Sequence, residues 1–261
     1  MATTLGVMAT YVLVGGAWLG AWAWRHVTCS LRARGHDVHP VTLTGLGDRV
    51  HLARPDVDLE THIADVVNTF VYADLRDVVL VGHSYAGLVV TGVADRAPER
   101  LAEVVYLDTG PLPPGQALID FSPPPERERL RTVVDERGDG WLLPPPAFAD
   151  LGTPAGVAGL TDAHRALFEA FATPQPFRTW TQPLEYAMAE RPPYRRTVVL
   201  AGGFDMTARQ LREQIAAGVP PWAQLFGASD WQVEELATGH WPMLSTPDEL
   251  SALLARRGGD A

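Results

Sequence analysis

Apolar positions along the chain alternate between two patterns. Short, β-branched runs read as strands: YVLVG at 11–15, HDVHPVTL at 36–43, DVVLVG at 77–82, AEVVYLD at 102–108, RTVVLAG at 196–202 and a run at 231–236. Longer stretches with helical spacing separate them. Trp22 to Gly35 ends on a glycine stop, and Asp58 to Tyr72 carries Leu59, Ile63, Val66, Val67 and Phe70 behind an Asp58 cap. Ser84–Ala97, 207–217 and 247–257 follow the same pattern. Strands alternating with helices predict an α/β fold built on a doubly wound, mostly parallel sheet. The uninterrupted apolar run DVVLVG suits a central strand, and Pro40 suits an edge strand.

The rhythm breaks at Pro111. Fifteen of the 22 prolines lie between Pro111 and Pro193, with helical patches at Glu126–Glu136 and Asp162–Ala172. Proline at this density cannot belong to a central sheet. The expected organisation of the 261 residues is therefore a core domain over 1–110 and 194–261, with a Pro-rich helical cap over 111–193 inserted after the strand ending at Asp108. The run ERERLR at 126–131 reads as a solvated helix face.

Charge and cysteine content narrow the chemistry. The formal net charge is −10 and all 21 basic residues are Arg. An acidic chain argues against nucleic-acid and membrane-surface partners. Without lysine there is no P-loop lysine, Schiff base or Ser/Lys dyad. The single cysteine, Cys29, removes intrachain disulfides, Cys-rich zinc sites and iron–sulfur ligation, and its place in a predicted helix reads as a small buried hydrophobe. No cofactor or metal is expected. The apolar stretch 11–24 has no Lys or Arg before Arg25, is broken by three glycines and is short for a bilayer span, so a soluble cytoplasmic protein is expected. The repeated Met-Ala-Thr at Met1 and Met8 allows Met8 as the natural start, after a disordered stretch.

The strongest chemical signal is Gly82-His83-Ser84-Tyr85-Ala86-Gly87, between a predicted strand and a predicted helix. A nucleophile on such a turn needs small residues two positions before and after it, and the helix behind it offers free N–H groups to an oxyanion. Ser84 is the candidate nucleophile. Among eight histidines, His240 lies after the last strand and before the last helix, on the sheet edge that a parallel topology shares with Ser84. His83 should point away from the serine and pack. His26 and His62 read as surface or satisfied core residues, and His164 opens a cap helix. His36, His39 and His51 remain open as substrate contacts. Two carboxylates fit the order nucleophile, acid, histidine: Asp108 at a strand end and Asp205 in the loop after RTVVLAG. Asp108 is preferred because a strand end fixes its backbone; Asp205 is the alternative acid.

These segments, with LVGGAWLGAWAW, LTGLGDRVHL, VVLVGHSYAG, VVYLDTGPLP and ATGHWPMLSTPDEL, resemble the α/β-hydrolase superfamily across nearly the whole chain, in its small-esterase and hydroxynitrile-lyase-like branch, and most of all actinobacterial esterase-like members. The resemblance implies the α/β-hydrolase fold, a Ser84–His240 pair, and an oxyanion hole of the Ala17 and Tyr85 backbone N–H groups. The branch's usual His-Gly reads Gly15-Gly16 here, and many members place their acid at the Asp205 spacing. The implied activity is a serine hydrolase cleaving a small carboxylic ester, lactone or thioester through an acyl-enzyme. Trp18, Trp141 and Trp241, with cap residues Phe121, Phe148, Phe168, Phe171 and Trp180, suggest an apolar or aromatic ester, although such rings often serve only to pack a cap. The alternatives are a cyanohydrin lyase using the same triad, disfavoured by the lack of lysine, and a non-catalytic small-molecule receptor. A homodimer is left open.

Overall fold

A computed structural model describes residues 8–187, 192–204, 206–227 and 231–258. The stretch expected to be disordered before Met8, residues 1–7, lies outside them. Among the described residues, six strands form the main sheet: β1 (Thr10–Val14), β2 (Asp37–Val41), β3 (Val78–His83), β4 (Leu101–Leu107), β7 (Arg195–Leu200) and β8 (Trp231–Glu235). Their order is β2-β1-β3-β4-β7-β8, with every neighbouring pair parallel. β3 is buried along its whole length, while β2, with Pro40, forms one edge. Both placements agree with the reading of the sequence.

Helices cover both faces. α1 (Arg25–Ala33) and α10 (Pro247–Gly258) share a core cluster with Tyr11, Leu13, Val79 and Val105. α2 (Leu59–Tyr72) and α3 (Ala86–Arg96) share the opposite cluster with Val12, Val14, Leu80 and Val104. Strand side chains alternate between these two clusters, as a sheet buried on both sides requires. α2 begins as predicted: the Asp58 carboxylate accepts from the Thr61 N–H at 3.0 Å. α7 (Ala208–Ala216) and α8 (Trp222–Phe226) pack with Leu200, Val198 and Val233 near the other edge.

Among the described residues, the Pro-rich stretch adds no strand to this sheet. It carries α4 (Pro124–Arg137), β5 (Leu142–Leu143), α5 (Asp162–Phe171), β6 (Gln175–Pro176) and α6 (Arg178–Thr181), with β5 and β6 paired antiparallel. Its ERERLR segment presents an exposed Glu126–Arg129 ion pair, as a solvated face should.

Cys29 departs from expectation. It lies inside α1 but is exposed. The buried side of α1 is set by Val27, Thr28 and Leu31; each residue advances the helix by about 100°, which swings position 29 past that side into solvent. Among the described residues, no helix is long and apolar enough to cross a membrane, and no cluster of three or more His, Cys, Asp or Glu could hold a metal ion.

Candidate active site

Parallel strands release their following loops at a common sheet edge, and the predicted site residues gather there. Ser84 directly follows β3 and adopts φ +52°, a left-handed conformation that costs a non-glycine residue energy. Its N–H is tied to Leu107 O at 3.2 Å. Gly82 is needed for the turn: a Cβ there would lie 2.6 Å from Val90 Cγ1 and 2.8 Å from Ala86 O. This is the physical basis of the small-residue rule around the serine.

His240 Nε2 lies 2.9 Å from Ser84 Oγ, and His240 Nδ1 lies 2.6 Å from Asp108 Oδ2. Asp108, the first residue after β4, also adopts a left-handed backbone, at φ +49°. Its carboxylate is buried and fully engaged. Oδ1 accepts the Ala201 N–H at 2.7 Å, and Oδ2 accepts the Gly203 N–H at 2.7 Å besides facing His240. Four hydrogen bonds thus connect the loops after β3, β4, β7 and β8 and order a hydroxyl, an imidazole and a carboxylate in line. Such a chain can move a proton from the hydroxyl to the ring while the carboxylate stabilises the resulting cation. Asp205 lies outside the described residues.

His240 is held by its main chain as well. Its N–H donates to Gly156 O at 2.6 Å, and the Gly239 N–H donates to Ala158 O at 3.1 Å, so the 153–160 loop of the insert braces the histidine loop. Its carbonyl accepts from His83 Nε2 at 2.6 Å. Burial and the neighbouring His240 ring hold the His83 pKa well below the usual imidazole range, so this ring is neutral and its one proton serves that bond. The expected packing role of His83 therefore includes a specific donor function. Neither the 153–160 loop nor the Ala201 and Gly203 amides were legible as site elements. Their only trace in the sequence is the cluster of glycines at 156, 202, 203 and 239.

Of the implied oxyanion donors, Tyr85 directly follows the serine, and a Cβ on Gly16, the neighbour of Ala17, would stand 3.0 Å from the Ser84 Cβ. Tyr85 precedes the first turn of α3, and neither its N–H nor that of Ala17 is used by a protein acceptor among the described residues. The Tyr85 phenol is buried against His62, whose Nδ1 is 2.8 Å from the hydroxyl and whose Nε2 donates to Thr44 O at 2.9 Å. Burial pushes His62 down to about 4, which identifies it as a satisfied, neutral core residue.

The proposed pocket rings divide. Trp241 is buried with its ring centroid 4.8 Å from that of His240. Trp18 adopts φ +64°, packs 5.7 Å from Trp180 and donates its indole N–H to Leu143 O at 3.1 Å. Trp141 is hydrogen-bonded to Gly138 and Phe177 through its backbone, on the α4–β5 connection. Phe148 and Phe168 pair at 6.4 Å within the insert, and Phe171 lies against Trp22 while remaining half exposed. The Trp18 and Phe171 contacts join insert to core, the packing role weighed against ligand binding. His36 meets Tyr11, His39 pairs with Asp37 on the edge strand and His164 caps α5, so each has a structural partner.

Comparison with known proteins agrees with this architecture. The Alpha/beta hydrolase family matches residues 11–253. A carbendazim hydrolyzing esterase from Nocardioides sp. (strain SG-4G) is 34% identical over 259 residues, covering 96% of this chain and 100% of the relative. Methylesterase 7 of Arabidopsis thaliana is 27% identical over 259 residues, covering 94% of each. Among solved structures, an extracellular alpha/beta-hydrolase from a Paenibacillus species superposes with a TM-score of 0.79 at 21% identity, covering 97% of this chain and all of that one. With a family match running from β1 into α10, and a relative aligned over its full length, the chain belongs to the alpha/beta hydrolase family.

Proposed function

We propose that the protein is a serine esterase that cleaves a small carboxylic ester through an acyl-enzyme. Ser84 is the nucleophile, His240 the general base and acid, and Asp108 the carboxylate that orients and stabilises the imidazolium. The observation that carries the reading is the unbroken chain Ser84 Oγ–His240 Nε2 at 2.9 Å and His240 Nδ1–Asp108 Oδ2 at 2.6 Å. Esterase names on relatives aligned over most of the chain support the same reaction class.

In this reading His240 takes the hydroxyl proton as Ser84 attacks the ester carbonyl. The tetrahedral oxyanion is met by the Ala17 and Tyr85 N–H groups, with the positive end of α3 behind them. Collapse expels the alcohol, which receives the proton from His240. A water then enters, gives its proton to the same ring and releases the acid. Residues 111–193 act as the cap, and Trp180 of the cap with Trp18 and Trp241 of the core supply the apolar surface of the site. Lactones and thioesters share the carbonyl chemistry and fall within the proposed range.

The test is turnover of p-nitrophenyl acetate and butyrate, aromatic methyl esters and carbendazim by the parent and by Ser84→Ala. The parent is expected to hydrolyse members of this panel, and Ser84→Ala to lose at least ~10³-fold in kcat with its fold intact. Undiminished turnover by Ser84→Ala would refute the assignment.

A further inference from the structure

Gln175 lies in the insert, on β6, and is completely buried. A buried amide must place both its oxygen and its nitrogen, and this one turns its oxygen to the core and its nitrogen back into the insert. Its Oε1 accepts the backbone N–H of Trp18 at 3.0 Å. Its Nε2 donates to Thr179 Oγ1 at 2.8 Å. The Thr179 hydroxyl, also fully buried, in turn donates to Pro176 O at 2.7 Å. The donors run one way, from Trp18 through Gln175 and Thr179 to the Pro176 carbonyl.

The ends of the Gln175 bridge are significant. Trp18 follows Ala17, and its left-handed backbone at φ +64° aims the loop that carries the Ala17 N–H. The Trp18 carbonyl is anchored too, accepting the Thr173 N–H at 3.1 Å. One buried side chain of the insert thus holds the core loop whose Ala17 N–H is one donor of the proposed oxyanion hole.

We infer that Gln175 is a positioning residue for the oxyanion hole, holding the Ala17 donor in place relative to the Tyr85 N–H from the cap side. The inference rests on the esterase reading above. A donor pair is effective only when its separation is set before charge develops, because reorganisation at the transition state forfeits the gain. Gln175 touches neither Ser84 nor His240 in this arrangement, so its contribution should show in transition-state stabilisation rather than in substrate capture or base strength.

The experiment compares Gln175→Met, which keeps volume and removes both hydrogen bonds, with Gln175→Glu and Thr179→Val. Rates are normalised to active sites titrated with a fluorophosphonate, so misfolded protein does not count. For Gln175→Met, kcat on p-nitrophenyl butyrate should fall about 10- to 100-fold, less than the ~10²–10³ of deleting a donor outright. Binding of an alkyl trifluoromethyl ketone, whose hemiketal oxyanion occupies the same donors, should weaken by a similar factor. KM should change less than about 3-fold and the pH–rate midpoint should not move, whereas a general loosening of the site would shift them together. Gln175→Glu, which can accept from Trp18 and donate to Thr179 only when protonated, should approach the parent more closely at pH 6 than at pH 9. Thr179→Val, which removes the acceptor that holds the Gln175 amide nitrogen while leaving the bond to Trp18 able to form, should show a smaller loss in the same two readouts, and it carries the test should Gln175→Met fail to fold. If folded Gln175→Met, or Thr179→Val in its place, matches the parent within 2-fold in kcat and ketone affinity, the inference is overturned. Should that happen while Ser84→Ala is inactive, the esterase reading survives; turnover in Ser84→Ala would remove both.

Discussion

Gly203 donates its backbone N–H to Asp108 Oδ2 at 2.7 Å, on the same oxygen that lies 2.6 Å from His240 Nδ1. A Cβ at position 203 would stand 2.4 Å from that oxygen and 2.6 Å from the imidazole nitrogen. The loop after β7 therefore serves Asp108 with amides, and it can do so only with a glycine at this point. Gly203→Ala should lower kcat by at least ~10²-fold by forcing the carboxylate and ring apart, while the thermal midpoint changes little. Steady-state kinetics beside a melting curve checks this; a fully active Gly203→Ala would show that the Asp108–His240 contact is dispensable.

The choice of acid gives a direct contrast. Asp108→Asn presents an amide to His240 in place of a carboxylate and should lose about 10³- to 10⁴-fold in kcat, in keeping with the neutralised acid of other triads. Asp205→Asn should stay within a few-fold of the parent. Measuring both on one ester decides the matter, and collapse at Asp205 with an active Asp108→Asn would reverse the assignment.

His83 contributes the donor that fixes the His240 carbonyl at 2.6 Å. His83→Phe retains a ring of similar size but leaves that carbonyl without its partner, at a cost typical of an unsatisfied buried group, about 1–3 kcal/mol. Its kcat should drop about 10-fold or more, and His83→Gln, which keeps an N–H, should recover part of the loss. Equal activity in the Phe and Gln variants would remove the positioning role.

Acid should destabilise the fold through its buried neutral histidines. His62 is depressed to about 4 from an ordinary value of 6.5, and His83 is lowered in the same sense. Below pH 6.5 the unfolded chain takes up protons that the native rings refuse, so stability is full above that point and falls as pH drops toward 4. For His62 the interval is worth roughly 3 kcal/mol, at ~1.4 kcal/mol per pH unit. Urea unfolding at pH 5, 6 and 8 should show the decline, and His62→Asn should flatten it while lowering stability at pH 8. A parent whose stability is flat over this range would contradict the burial of a neutral His62.

Much of this arrangement could be read from residue order, for identifiable reasons. The Ser84 turn is specified locally, since Gly82 and Ala86 must make room within a few residues. His240 follows from topology, because parallel strands deliver their loops to one edge. The acid could not be resolved in the same way: Asp108 and Asp205 both follow strands that end on that edge, and the contacts engaging Asp108 come from amides about 95 residues away in sequence, which carry no side-chain signature. The roles of His83 and Gln175 are likewise set by long-range partners, a main-chain carbonyl in one case and a backbone N–H in the other. Cys29 was misjudged because helical phase, and not hydrophobicity, decides which side of α1 a small residue occupies.

Catching the acyl group tests the proton shared by Ser84 and His240. The parent is mixed with excess p-nitrophenyl acetate, quenched in acid within the first turnover, digested and mapped by mass. One acetyl group is expected on the Ser84 peptide, absent from Ser84→Ala and strongly diminished in His240→Gln. Acetyl found on another residue, or unchanged labelling of Ser84 without His240, would contradict a shared proton between these two side chains.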